Sequence, residues 1–160
     1  KDDEPNPNIR IFSTTHEYLY VSAYNMFKDN FFFGVGPKLF RQYCSNEDYA
    51  YYELENEKTL SCSTHPHNSY IQLMSETGVV GLSFILIFFG NVSFLLINHL
   101  YRKIRLKKLF LTDYQVLLLC SIFLSLFPLL PTQNIFNNWI NIIYFLPIGF
   151  YLQSIKKNNT

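Results

Sequence analysis

The stretch that decides the fold is Val79–Leu100, VVGLSFILIFFGNVSFLLINHL. It contains no Asp, Glu, Lys or Arg, and His99 near its end is the one group in it that can carry charge. At the helical rise of 1.5 Å per residue it reaches about 33 Å, enough to cross the hydrocarbon core of a bilayer. A second apolar run, Gln115–Pro131, is interrupted near its end by Pro128 and Pro131. A third, Asn138–Gln153, is shorter and has Pro147 inside it. A buried core helix of a soluble protein explains one such run. Three in succession predict an all-α integral membrane chain with three transmembrane helices.

Composition hides this. The chain has 160 residues, 49% hydrophobic, 18% aromatic and 16% charged, with a net charge of +1. That charge argues against a nucleic-acid partner, which calls for a basic chain with a clustered face. The 16 Phe and 12 Tyr exclude a solvated disordered tail. Six Gly and three Cys exclude collagen-like and cysteine-dense scaffolds. The mean hydropathy of +0.05 averages two different materials. Apart from Glu76 and Asp113, every acidic residue precedes position 60, whereas the chain from Val79 onward is mostly hydrocarbon.

Orientation follows from the cations. Arg102, Lys103, Arg105, Lys107 and Lys108 lie between the first two runs, and Lys156 and Lys157 follow the third. The positive-inside rule puts both groups in the cytoplasm, and three spans place them on one side. The expected division is an exported region over residues 1–78, three membrane helices over 79–155 and a cytoplasmic tail over 156–160. Trp139, Tyr144 and Tyr151 suit interfacial or bundle-facing positions. The chain opens on Lys1-Asp2-Asp3-Glu4-Pro5, with neither an initiator Met nor a signal-like apolar segment. The expectation is therefore the C-terminal part of a larger multi-span protein, inactive by itself.

Within the exported region, residues 1–12 read as loop. Thr14-Thr15-His16-Glu17 has capping-box form and predicts a helix that ends near Asp29 or Asn30. Gly34-Val35-Gly36-Pro37 permits a tight turn, with Pro37 opening a new helix through Phe40 and Arg41. A turn between helices is the simpler reading of Gly34 and Gly36, and phosphate binding the weaker one. Cys44 and Cys62 flank a polar, Tyr-rich stretch and suit a disulfide in an oxidising compartment, free thiols being the alternative. Cys120 falls in an apolar run and reads as packing. Cys44, Cys62, His65 and His67 lack the paired spacing of a zinc site, so no metal is expected.

The richest stretch is Cys62-Ser63-Thr64-His65-Pro66-His67-Asn68-Ser69-Tyr70-Ile71-Gln72. Ser69-x-x-Gln72 predicts a helix that begins just after His67, runs to Thr77 and stops at Gly78. A helix N-terminus attracts phosphate and disfavours imidazolium, which leaves His67 able to accept a proton. Physics alone reads a histidine in such a place as a structural hydrogen-bonder. Gln72 and Glu76, one turn apart, suit either the site or a solvated helix face.

His67-Asn68 followed by Gly78 and Gly81 resembles the signature of the O-antigen ligase and O-antigen polymerase superfamily. Tyr20 to Met26, Lys28-Asp29-Asn30 and Gly34-Val35-Gly36-Pro37 with Phe40 resemble that family's upstream segment in the same order. The likeness covers roughly residues 13–82. It implies a GT-C-like membrane glycosyltransferase in the bacterial inner membrane, with a periplasmic helical loop region. Its donor would be an undecaprenyl diphosphate-linked glycan and its acceptor lipid A–core or another glycan, among membrane lipid and without metal or other cofactor. His67 would be the base, or a donor to the diphosphate, and Asn68 would orient it or cap the helix. Family members bind the diphosphate through arginine. Where many carry an Arg four residues before the aromatic matching Tyr20, this chain has His16. His16 itself, Arg10, Arg41 or a further Arg upstream of this segment then supplies that contact, with His65 beside the motif. Imidazole lacks the two-point grip of guanidinium. The competing class is a transporter component with an anion-binding loop. The absence of buried charge in the three runs weighs against it.

Overall fold

The computed structural model describes residues 12–52 and 60–158; Arg10 and most of the expected N-terminal loop lie outside the described residues. All regular structure among the described residues is helical: α1 (Thr14–Asp29), α2 (Phe40–Tyr43), α3 (Ser69–Tyr101), α4 (Asp113–Ser125) and α5 (Asn138–Asn158). A π-helical turn, Arg102–Leu106, extends α3.

α1 is capped one residue earlier than its sequence predicts. Ser13, extended at φ −64° and ψ 153°, accepts the His16 N–H, while Glu17 and Lys28 sit at the ends that suit their charges. Its inward face is Tyr18, Leu19, Ser22, Ala23 and Met26, at helical spacing. Leu19, Ala23 and Met26 join Phe40 and Cys44 in a small core on the side of the histidine motif.

α2 starts at Phe40, not at Pro37. Lys38 stands between them at φ 63°, a left-handed backbone that no helix accommodates. The Phe40 N–H donates to Glu76 Oε1 at 2.8 Å, so a carboxylate from α3 opens this turn. Glu76 and Gln72 are fully buried, which removes the solvated-face reading of that pair.

Among the described residues, one helix is long and apolar enough to cross a membrane: α3 with its π turn, Ser69–Leu106, 38 residues. The second apolar run forms only the 13 residues of α4. Pro128 and Pro131 remove two backbone donors and prevent its continuation. α5 reaches 21 residues across Pro147, but its Asn-rich start and basic end dilute its apolar character. α4 packs on both α3 and α5. Tyr70, Ile85, Val92, Leu119 and Ile122 fill the space between them, with Leu111 and Leu126. His99 is tied down here, since its Nδ1 accepts the Leu111 N–H at 3.1 Å. Thr112 and Gln115 then form a reciprocal capping box that starts α4.

α3 breaks where the sequence predicts a stop. Gly78 takes φ 66° and ψ −163°, a conformation essentially confined to glycine, and helical geometry resumes beyond it. The break leaves backbone groups of two turns without helical partners, and residues 31–36 satisfy them. Val35 and Gly36 donate N–H groups to the carbonyls of Ser75 and Glu76, both at 2.9 Å. In return the carbonyls of Phe31 and Phe32 accept the N–H groups of Val79 (2.8 Å) and Val80 (3.4 Å). Such an exchange demands close backbone approach. A Cβ on Gly34 would overlap the backbone of Glu76 and Thr77, and one on Gly78 would overlap that of Phe31 and Phe32. A Cβ on Gly81 would meet the Thr77 side chain, one turn earlier in the same helix. The Gly-x-Gly segment is thus a docking strip, in line with the simpler of its two readings.

The Cys44–Cys62 disulfide forms, with Cα atoms 4.9 Å apart and 18 residues of separation. It ties the end of α2 to the approach of the histidine motif. Closing a loop of that length stabilises by about 3 kcal/mol in the chain-entropy model. Replacing both cysteines by serine should therefore lower the unfolding free energy by about that amount. Reductant should do the same to the wild type and nothing to the variant, measured by denaturant titration in detergent.

Candidate functional site

The segment His65–Asn68 is held at both ends. Asn68, extended at φ −149°, is the N-cap of α3: its Oδ1 accepts the N–H of Tyr70 at 2.9 Å and of Ile71 at 3.2 Å. The expected Ser69-x-x-Gln72 box is replaced by this cap, one residue earlier. Asn68 Nδ2 meanwhile donates to the Pro128 carbonyl at 2.7 Å. Ser69 Oγ lies 2.8 Å from Thr132 Oγ1, and the Thr132 N–H donates to the His67 carbonyl at 2.9 Å. The link between α4 and α5 is in this way stitched to the start of α3.

His67 sits inside that stitching at φ 57°. A left-handed non-glycine residue costs about 1–2 kcal/mol. It persists because the Thr132 bond on its carbonyl and the Asn68 cap beyond it over-determine the backbone. Its Nε2 lies 3.3 Å from Ser63 Oγ, and the ring is half-buried. Two further imidazoles adjoin it: His65 at 4.2 Å between ring centroids and His16, edge-on, at 5.9 Å. His65 is buried, with Nδ1 2.9 Å from Thr64 Oγ1. Its Nε2 meets no partner of hydrogen-bonding geometry among the described residues. His16 Nδ1 lies 2.8 Å from Ser13 Oγ. Tyr20 completes the group, its ring 6.0 Å from that of His16.

Burial, and then the charge of His16, holds His67 below the ordinary imidazole value of 6.5. Burial does the same to His65, aided by His67 and partly opposed by the Thr132 backbone. Both rings therefore favour the neutral form near pH 7, in which one nitrogen accepts. No group of three His, Cys, Asp or Glu among the described residues is arranged to hold a metal ion.

Glu76 and Gln72 form a second layer behind the histidines. Gln72 Nε2 donates to Glu76 Oε2 and to Asn134 Oδ1, both at 2.9 Å, and Gln72 Oε1 accepts the Ile135 N–H at 3.1 Å. This bonds α3 to α2 and to the α4–α5 link through side chains 0% exposed. Arg41 is exposed and stands apart from the rings, on the wall of a cavity of about 350 Å³ that Lys38, Thr64, Asn134, Asn137 and Trp139 share. His16, His65, His67 and Asn68 are brought together, then, while Arg41 lies beyond Thr64. Lys38, Ser63, Tyr20 and Asn134 escaped the reading of the sequence as site residues. The one signal for Asn134 was the polar stretch Thr132–Asn138 set between two apolar runs.

The family model described as O-antigen ligase matches residues 13–86. No curated protein and no solved structure matches the chain. The matched segment runs from the cap of α1 through the Gly78 break and takes in the three clustered histidines, Asn68 and the docking strip. On that match, residues 13–86 form an O-antigen ligase family segment.

Proposed function

We propose that the chain acts in a membrane glycosyltransferase that moves a glycan from undecaprenyl diphosphate to lipid A–core at the periplasmic face of the bacterial inner membrane. The observation that carries this reading is the O-antigen ligase match over the segment that holds His67 in a strained, half-buried and neutral state. In the reaction an acceptor hydroxyl attacks the anomeric carbon. The bond from that carbon to the carrier diphosphate breaks, with inversion. His67 takes the hydroxyl proton, and cationic side chains with oriented dipoles stabilise the leaving diphosphate. Asn68 positions His67 by capping α3, His16 and His65 flank the ring, and Arg41 contacts substrate.

The matching topology has residues 1–78 exported, the apolar runs 79–100, 115–131 and 138–153 crossing, and the tail from 156 in the cytoplasm. Two facts support it. The α4–α5 link is bonded to Asn68, Ser69 and Gln72, so it shares a side with the start of α3. Five cations gather at the opposite end, at and just beyond the π turn.

Complementation of a bacterial strain lacking this gene, with the surface-glycan ladder as readout, tests the function. Long glycan accumulating on its carrier, unattached to core, is the expected defect in the strain, and its correction by the wild-type gene the expected rescue. Core bearing a single repeat would assign a polymerase instead, and an unaltered ladder would sink both.

A further inference from the structure

The cavity beside the histidines has a one-sided chemistry. Lys38 and Arg41 contribute two cations to its lining, and neither Asp nor Glu lines it among the described residues. Glu76, the acid on which Arg41 acts electrostatically, is fully buried and commits its oxygens to the Phe40 N–H and to Gln72. The two best-placed amides are also committed on their acceptor side. Asn134 Oδ1 accepts from Gln72 Nε2 and from the Phe136 N–H, both at 2.9 Å, and Asn137 Oδ1 accepts the Trp139 N–H at 3.1 Å. What each has left for a ligand is its NH₂ group, a double donor. The Trp139 indole, 80% exposed at the mouth, adds a flat apolar face and one more N–H. A lining of donors and cations beside two aromatic residues, Phe136 and Trp139, fits a ligand that is ring-shaped, rich in oxygen acceptors and negatively charged.

We infer that this cavity binds an anionic sugar unit, a pyranose carrying a carboxylate or phosphate, with its ring on Trp139 and its charge between Lys38 and Arg41. The inference rests on the glycosyltransferase reading and narrows it: the glycan handled here bears acidic residues. Three observations support it. At about 350 Å³ the cavity falls in the size range of small-ligand sites. Lys38 is held at a left-handed backbone angle between the Gly34–Gly36 strip and α2, so a fixed turn presents it. Thr64 on the cavity wall contacts His65 Nδ1, and the His65 ring lies 4.2 Å from that of His67, so a sugar in the cavity adjoins the proposed base.

Trp139 is the only tryptophan of the chain, so its fluorescence reports occupancy without a label. The full chain in lipid nanodiscs is titrated with methyl glucuronide, methyl glucoside and inorganic pyrophosphate. Saturable change with the glucuronide is expected, at a concentration about tenfold or more below that for the glucoside. Pyrophosphate, which has charge but no ring to lie on Trp139, is expected to bind more weakly than the glucuronide. Lys38→Asn, which keeps a residue tolerant of left-handed backbone, and Arg41→Gln should each weaken the glucuronide about tenfold without changing the melting temperature. Equal response to glucoside and glucuronide overturns the inference, as does silence to both. A response to pyrophosphate stronger than to the glucuronide also overturns it and assigns the cavity to the carrier diphosphate. Because the readout is binding, it stands or falls separately from the transfer assay: a chain that transfers glycan yet ignores the glucuronide loses this inference alone.

Discussion

Replacing His67 by Asn should leave a protein that folds and inserts like the wild type yet transfers glycan about 10²–10⁴ times more slowly. The choice of Asn matters. His67 occupies φ 57°, where Asn is among the residues most at ease, so the strain does not grow with the substitution. The Thr132 bond reaches the His67 backbone, not its ring, and survives. What disappears is a neutral imidazole able to take a proton at pH 7. The pH profile carries the same signature. With its value depressed below 6.5, His67 stays neutral as the medium is acidified, so the acid limb of the wild-type rate should fall below pH 6.5. Burial is the larger cause and His16 the smaller. His16→Ala should accordingly move that limb only part of the way back towards 6.5. Stability follows with the same sign. The folded value lies below the unfolded one, so the contribution is fully present above pH 6.5 and is lost as the pH falls through the folded value. Wild-type transfer by a well-folded His67→Asn protein would remove His67 from the chemistry.

What the sequence made legible was local. The apolar run of α3, the stop at Gly78, the extent of α1 and the Cys44–Cys62 pair all follow from neighbouring residues or from compartment chemistry. Both helix starts fell one residue early for a shared reason. Ser13-Thr14 and Asn68-Ser69 each place two cap-competent side chains together, and backbone angles, not residue type, decide which of them caps. The sequence leaves the pair Gln72 and Glu76 equally at home in solvent because its partners are remote along the chain. Phe40 is 36 positions away from Glu76 and Asn134 is 62 away from Gln72. Lys38 gave no signal, since a lysine at positive φ is rare and its turn is set by the docking of residues 31–36 on α3. The histidine motif stood out through its family likeness. Its clustering with His16 needed the packing of α1 on α3.

Ala at Gly78 or at Gly34 should be the most damaging substitution in the chain for folding. At Gly78 two effects act together. Its φ of 66° and ψ of −163° fall in a region that side-chain-bearing residues avoid at about 1–3 kcal/mol. The new Cβ would also press into the backbone of Phe31 and Phe32, where overpacking typically adds about 1–3 kcal/mol. At Gly34, φ is again 66°, and the obstacle is the backbone of Glu76 and Thr77. Backbone cannot rotate aside as a side-chain tip does, so relief requires the two strips to separate. Separation would break up to four inter-strip hydrogen bonds and pull Glu76 from the Phe40 N–H. The combined loss of about 2–6 kcal/mol compares with the 5–15 kcal/mol that typically holds a domain together. Gly90 and Gly149 provide the internal control. Nothing lies within 4 Å of a Cβ at either, and neither has a positive φ. Alanine there should be neutral or stabilising by about 0.5–1 kcal/mol, as is usual inside a helix. Thermal melts of the four alanine variants in one detergent make the comparison. A Gly78→Ala midpoint equal to that of Gly90→Ala would mean that the α3 break does not depend on glycine.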